Sequence, residues 1–192
     1  ESKIKSIGIG KIATICGRYY MMDRDNRWDR SKKAYKALVD GEGEYFVNAI
    51  EAIQDSYNDN ISDEFVEPKI ICKNNIIKNG DTIITYNYRA DRMRQMCRAF
   101  TEKGFSEFQI KNLKLSFVSM TKYKNDFQFP TFYKREKLGK IFPEILSKNG
   151  FKQLRIAETE KYAHVTYFFN GGEEKLFPGE VRKMVPSPNV TT

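Results

Sequence analysis

Apolar positions along the chain follow two alternating periodicities, one typical of strands and one typical of helices. Residues 11–16 form a short run rich in β-branched residues that predicts a buried strand. Gly17 ends this strand, so Arg18 lies at the strand end. From Ser31 the spacing becomes helical, with Gly41 as the stop signal, and residues 46–57 predict a second helix. The apolar positions of this second helix are Phe46, Ala49, Ile50, Ile53 and Tyr57.

A strand-to-helix junction is predicted in the middle of the chain. Residues 69–72 and 82–88 have strand patterns, and the turn signal Asn-Gly-Asp at 79–81 separates them. Arg89 then falls at a strand end, and Asp91 fits the first turn of a helix carrying Arg92. Unpaired N–H groups at a helix start carry partial positive charge, so we expect an anion-binding corner here.

The last third of the chain repeats the strand and helix pattern. Residues 113–117 predict a strand, and the aromatic stretch 127–134 predicts a connection or hinge. A helix over 138–146 must start late or kink because of Pro143, and it should end at Asn149 and Gly150. Residues 153–156 predict a strand, whereas 158–169 fits either a helix or an aromatic strand. Alternating strands and helices indicate an α/β fold, a layered sheet with flanking helices.

Composition narrows the class of protein. The 192 residues are 40% hydrophobic and 30% charged, which excludes a disordered tail or a low-complexity linker. No apolar run approaches the roughly 18 residues of a membrane span, and the first residues lack the apolar core of a signal peptide. The three cysteines are odd in number and far apart, so we expect reduced thiols in a cytoplasmic protein without membrane contact.

The charge of the chain allows a nucleic-acid partner, but its distribution argues against one. The formal net charge is +8, yet residues 1–100 hold 17 Lys and Arg against 15 Asp and Glu, and residues 101–192 hold 16 against 10. Eight of the eleven arginines lie in the nearly neutral first half. A guanidinium group binds a carboxylate or phosphate bidentately, so such placed arginines suggest a small anionic ligand. Ordinary surface ion pairs are the alternative explanation.

Three motifs carry a resemblance to a known family. They are GRYYMMDRDNRWDR at residues 17–30, YRADR at 88–92 and AETEKYAHVTYFFNGG at 157–172. Together and in this order they resemble the cofactor-independent (2,3-bisphosphoglycerate-independent) phosphoglycerate mutases, and the similarity extends over essentially the whole chain. Each motif alone would be a much weaker signal.

The resemblance implies a cytoplasmic glycolytic isomerase that interconverts 3-phosphoglycerate and 2-phosphoglycerate through a phosphoserine intermediate, without bisphosphoglycerate. Residues 1–133 would be the later part of the substrate-binding transferase domain. Residues 134–192 would begin the returning alkaline-phosphatase-like α/β domain, after a hinge near 129–135. The family's serine nucleophile and the ligands of its two Mn²⁺ or similar ions have no counterpart here. We therefore expect no catalytic or metal-binding residue in this chain, no activity from it alone, and a monomer at full length.

Residue roles follow from the same resemblance. The expected substrate-binding residues are Arg18, Arg24, Arg89, Arg92 and Lys161. The aspartates expected to hold these guanidinium groups are Asp23, Asp25 and Asp91. Structural roles are expected for Arg27, Arg30, Arg94 and His164.

Other functions stay open at this stage. A nucleic-acid-binding module would bind DNA or RNA with steep salt dependence. A different phosphatase-superfamily enzyme, such as a phosphopentomutase-like protein, would share the phosphoserine chemistry but not the arginine pattern. A fragment with only a structural or interaction role would show itself by complementation with the missing segments.

Overall fold

The structure, a computed structural model, describes residues 1–134 and 136–188. The chain divides into two compact units, Glu1–Tyr133 and Lys134–Thr192. Arg135, the end of the expected hinge, and residues 189–192 lie outside the described residues. Strands and helices are mixed in both units, which confirms the predicted α/β class.

The first unit contains five helices and five strands among its described residues. Its helices are α1 (Ser2–Ile7), α2 (Arg18–Met21), α3 (Trp28–Val39), α4 (Ala49–Asn58) and α5 (Arg94–Thr101), with a 3₁₀ turn at Asp63–Phe65. Its strands are β1 (Thr14–Ile15), β2 (Glu44–Tyr45), β3 (Lys69–Ile70), β4 (Thr82–Thr85) and β5 (Ser116–Ser119). β3 lies between β1, which is antiparallel to it, and β2, which is parallel. β4 and β5 form a separate parallel pair.

The two predicted early helices are present, with different details. α3 begins at Trp28, three residues before Ser31, and ends just before Gly41, which has a φ of 70°. α4 begins after Asn48, whose side chain accepts the N–H of Glu51. Its buried positions are Ala49, Ala52 and Ser56. The predicted apolar face is therefore only partly correct, because Ile50 is 68% exposed and Tyr57 is 47% exposed.

The junction before α5 differs from the sequence prediction. β4 ends at Thr85, and α5 begins only at Arg94. Between them the chain forms a turn in which the N–H of Met93 donates to the carbonyl of Ala90 (3.1 Å). Asp91 is thus in a turn ahead of the helix and not in its first turn. The expected corner of helix N–H groups beside Arg89 is therefore wrong, and the arginines of this segment project from a turn instead.

The core of the first unit joins α3 to α5. Its buried members are Ala34, Tyr35 and Val39 from α3 and Met96 and Ala99 from α5. Burial of this apolar surface is the main stabilising contribution to the contact. The same packing brings together the segment before α3, which carries Arg24, and the segment before α5, which carries Arg89 and Arg92.

The second unit is built on one parallel strand pair among the described residues. Its elements are α6 (Phe142–Lys148), β6 (Gln153–Glu158), α7 (Thr159–Ala163), a π-helical turn (His164–Phe168) and β7 (Glu180–Val185). β6 pairs with β7, with Gln153 opposite Glu180. Pro143 lies in the first turn of α6, where its missing N–H costs nothing, so the late start is confirmed. Residues 158–169 are mostly helical, which decides between the two alternatives.

Across the described residues, every helix is too short or too polar to cross a bilayer.

Candidate anion-binding site

Residues 22–27, which we call the arginine loop, are held by a buried aspartate. Oδ2 of Asp23 accepts the backbone N–H groups of Asp25 (3.1 Å) and Arg27 (3.0 Å). Oδ1 accepts a hydrogen bond from Arg30 at 3.2 Å. Asn26, in the same loop, adopts a left-handed backbone conformation with φ of 59°, which asparagine tolerates better than most residues. The loop has one defined shape, and Arg24 projects from it.

Asp91 joins arginines from two distant segments. Arg89 donates to both of its carboxylate oxygens, through Nε at 2.8 Å and Nη2 at 3.1 Å, and Arg24 donates through Nη1 at 3.0 Å. The Asp91 side chain is 4% exposed and that of Arg24 is 9% exposed. Burial raises the pKa of the Asp91 carboxyl, but hydrogen bonds from Arg89 and Arg24 outweigh it and the pKa lies below its ordinary value.

Arg92 contacts the arginine loop and interacts electrostatically with the other arginines. Its Nη1 donates to the carbonyl of Met22 in the arginine loop (3.0 Å). Burial lowers the pKa of its guanidinium group, and repulsion from Arg24, Arg18 and Arg89 lowers it further. The positive charges of both motifs therefore act on one place in the first unit.

Arg18 starts α2 and is fixed by the turn at 64–66. The N–H of Gly17 donates to the carbonyl of Val66 (2.7 Å), and Arg18 pairs with Glu64 (2.6 Å). A Cβ on Gly17 would lie 2.4 Å from the carbonyl oxygen of Glu64, closer than atoms can approach. Glycine is needed here for space, because its backbone is ordinary extended chain.

Together these groups form a cationic site. Arg24 and Arg89 share the Asp91 carboxylate, Arg18 pairs with Glu64, and Arg92 donates to a backbone carbonyl. Arg92 feels the charge of the other three arginines. Guanidinium groups bind carboxylate and phosphate oxygens in forked pairs, so the arrangement suits a small anion with several oxygens. That these arginines bind substrate remains a prediction.

Two further arginines, Arg30 and Arg94, have contacts to neighbouring segments. Arg30, besides its bond to Asp23, lies over the ring of Tyr19 at 3.7 Å. Nε of Arg94 donates to the carbonyl of Tyr123 (3.0 Å). These contacts hold neighbouring segments together, which fits the structural role expected from the sequence.

Lys161 belongs to the second unit and is described there by itself. It lies in α7, is 54% exposed and pairs with the adjacent Glu160 at 3.1 Å. His164 follows in the π-helical turn, with its ring 5.5 Å from that of Phe168. The expected phosphate contact of Lys161 stays a prediction.

The residues present do not fit a metal site. Within 1–134 and 136–188, no three His, Cys, Asp or Glu side chains are grouped so that they could hold an ion.

Two residues near the arginines were not identified from the sequence. Nothing in the sequence links Glu64 to Arg18, 46 residues earlier. Gln95 is buried on α5, where it contacts Asn26 and Ser31. An isolated glutamine in a helix gives no functional signal, although its position four residues after Asp91 places it near the same turn.

Comparison with protein-family models first gives the broad class of protein. Residues 89–192 match the metalloenzyme superfamily. Residues 1–125 match the family described as the BPG-independent PGAM N-terminus, and the chain belongs to that family. The resemblance carried by the three motifs is thereby confirmed.

Individual relatives agree with this assignment. The chain is 50% identical to a 2,3-bisphosphoglycerate-independent phosphoglycerate mutase of Clostridium beijerinckii and 48% identical to one of Moorella thermoacetica, and all of it is covered in both cases. It spans 38% and 39% of their lengths. A crystal structure of Leishmania mexicana phosphoglycerate mutase at low cobalt concentration is similar with a TM-score of 0.84 and 30% identity, over 98% of this chain and 37% of that one.

Proposed function

We propose that this chain is part of a 2,3-bisphosphoglycerate-independent phosphoglycerate mutase and supplies arginines that bind phosphoglycerate. The observation that carries the proposal is the meeting of Arg24 and Arg89 on Asp91, with Arg92 bonded to the same loop. Family membership and the names of the relatives support the reaction, the interconversion of 3-phosphoglycerate and 2-phosphoglycerate.

The arginines suit the demands of this reaction. Phosphoglycerate carries a carboxylate and a phosphate on three carbons, and forked contacts to both groups fix one orientation of the molecule. A fixed orientation converts a random encounter into a reaction between aligned groups. Positive charge around the phosphate also stabilises the charge that spreads over its oxygens during transfer.

The other parts of the proposal concern the longer enzyme. Residues 1–133 contribute to a transferase domain and 134–192 to a phosphatase-like domain, in which Lys161 contacts the transferred phosphate. The serine that accepts the phosphate belongs to residues outside this chain. So do the ligands of two divalent ions, Mn²⁺ or similar, and the match to the metalloenzyme superfamily supports the need for metal. The enzyme acts as a cytoplasmic monomer and without a nucleic-acid partner.

Substitution of Arg89 and Arg92 in the longer enzyme tests the binding role. Arg89→Ala and Arg92→Ala each remove charge-assisted hydrogen bonds to the substrate, worth about 1.5 to 3 kcal/mol apiece. This corresponds to roughly a 10- to 150-fold fall in kcat/KM for 3-phosphoglycerate. The matched control is Arg98→Ala, since Arg98 is an arginine of the same unit that pairs with Glu102 and Glu107.

Circular dichroism should show that each variant is folded, so that a lost rate reflects lost contacts. Near-normal turnover in either Arg89→Ala or Arg92→Ala would refute the assignment. The isolated 192-residue chain should have no mutase activity, and measurable activity from it would contradict the placement of the phosphate acceptor elsewhere. Salt-sensitive RNA binding by a longer protein that lacks mutase activity would favour the nucleic-acid alternative.

A further inference from the structure

Gln95 is a buried polar side chain whose two functional atoms are both used. It lies on α5 and is 4% exposed. Its Oε1 accepts the backbone N–H of Asn26 (3.0 Å), and its Nε2 donates to the hydroxyl of Ser31 (3.1 Å). A buried amide without these partners would cost about 1 to 3 kcal/mol, so the side chain is held in one orientation. It therefore links α5 to the arginine loop and to α3.

The contact to Asn26 is one of three hydrogen bonds described here between residues 91–95 and the arginine loop. Arg92 donates to the carbonyl of Met22, and Asp91 accepts from Arg24. Gln95 accepts from Asn26, two residues beyond Arg24. These contacts therefore lie on both sides of Arg24 in the sequence, and of the three it is the Gln95 contact that binds the backbone after Arg24.

The backbone at Asn26 is the part of the loop that most needs such a contact. Its φ of 59° is a conformation that residues other than glycine adopt rarely. Asp23 fixes the N–H groups of Asp25 and Arg27, on either side of Asn26. Gln95 fixes the N–H between them, so every backbone donor from 25 to 27 has a side-chain acceptor.

We propose that Gln95 is a positioning residue that holds the arginine loop in the shape that presents Arg24 to the substrate anion. The inference rests on the proposed function, since Arg24 acts on phosphoglycerate only if that function is correct. Gln95 itself touches no substrate. Its effect passes through the backbone of Asn26.

The test measures the kinetics of the longer enzyme with Gln95→Met, which keeps the size of the side chain and removes both hydrogen bonds. We expect the KM for 3-phosphoglycerate to rise about tenfold, the equivalent of one to two lost hydrogen bonds, with a smaller change in kcat. Ser31→Ala removes only the contact to Nε2, so it should lower the unfolding midpoint while KM stays within about twofold. Gln54→Met is the matched control, since Gln54 is an exposed glutamine of α4.

A second variant disturbs the contact between Asn26 and Gln95 through a change at the exposed residue Asn26. Asn26→Val leaves the core untouched but disfavours the left-handed conformation, because a β-branched residue is a strong outlier at positive φ. It should raise KM as Gln95→Met does. In an Arg24→Ala background, Gln95→Met should change KM less than twofold, since the loop then no longer carries the side chain that Gln95 is proposed to position.

The outcomes separate this inference from the proposed function. A wild-type enzyme without mutase activity refutes the proposed function itself. With an active wild type, an unchanged KM in folded Gln95→Met and in Asn26→Val overturns the positioning role. So does an equal rise in KM for Gln95→Met and Ser31→Ala, or a rise that persists undiminished in the Arg24→Ala background, because a general loss of core stability would produce either result.

Discussion

Removal of the Asp91 carboxylate should destabilise the first unit far more than its size suggests. Asp91 is 4% exposed and accepts hydrogen bonds from Arg89 at 2.8 and 3.1 Å and from Arg24 at 3.0 Å. The Arg24 side chain is 9% exposed, and Asp91→Ala leaves its guanidinium group buried without this carboxylate. The repulsion between Arg24 and Arg92 is then no longer offset by Asp91. Loss of one partner of a buried ion pair costs about 3 to 5 kcal/mol, because the remaining charge is uncompensated.

Urea denaturation followed by circular dichroism gives the free energy of unfolding of each variant by linear extrapolation. The matched control is Asp126→Ala, since Asp126 pairs with Lys124 at 2.6 Å but is 62% exposed. Exposed pairs contribute about 0.2 to 1 kcal/mol, so the control should lose little. Equal losses in Asp91→Ala and Asp126→Ala would refute the view that burial makes the Asp91 contacts important.

The same carboxylate should make stability depend on pH. The pKa of Asp91 lies below its ordinary value in the folded protein. Its contribution to stability is therefore fully present above the ordinary value of 3.8 and is lost as the pH falls through the lower folded-state pKa. The difference in unfolding free energy between wild type and Asp91→Ala should stay constant from pH 7 to about 5 and shrink in more acidic solution. A difference that grows on acidification would refute this sign.

Three further changes test other parts of the structure. Gly17→Ala places a methyl group against the backbone of the turn at 64–66 and should cost about 1 to 3 kcal/mol of stability. Gly139→Ala is the control and should cost little, because a Cβ there meets no atom within 4 Å. Equal unfolding midpoints for the two variants would contradict this. Lys161→Ala should leave the unfolding midpoint unchanged, because its ion pair is exposed, while mutase turnover by the longer enzyme falls; unchanged turnover would exclude the proposed phosphate contact. Burial raises the pKa of Cys16 to about 12 and also raises the pKa of Cys97. Both thiols should therefore resist iodoacetamide at pH 8 until the protein is unfolded. Labelling of the folded protein at the rate of the unfolded one would contradict this.

Sequence patterns predicted which elements exist better than where they end. α3, α4 and α6 follow from their spacing and stop signals, since these signals are local. The buried face of α4 did not follow, because Ala49 and Ala52 are buried while the larger Ile50 is exposed. Hydrophobicity alone would predict that the isoleucine is more buried than the alanines. β2 and β7 were missed, because pairing with a distant strand, and not local propensity, defines them.

The candidate site was predictable in its residues and not in its connections. Arg24 and Arg89 were identified by motif, and Asp91 by its place beside an arginine. Contacts such as Arg18 with Glu64, or Gln95 with Asn26, join residues 46 and 69 positions apart. No single-sequence pattern records such pairs, because they follow from tertiary packing. The turn at Asp91 was mistaken for a helix start because an acidic residue ahead of apolar spacing is the usual helix signal.

The contacts of Arg92 explain why the fold keeps an electrostatically unfavourable cluster. Arg24 and Arg89 share a carboxylate, and Arg18 has its own, but Arg92 donates to a carbonyl. Burial lowers the pKa of its guanidinium group most, and repulsion by Arg24, Arg18 and Arg89 lowers it further against the attraction of Asp91. Packing of α3 against α5 holds these charges together, so core burial offsets a repulsion that the site alone would not sustain. If phosphoglycerate binds at these arginines, as proposed above, its negative charge would offset that repulsion and so contribute to its binding.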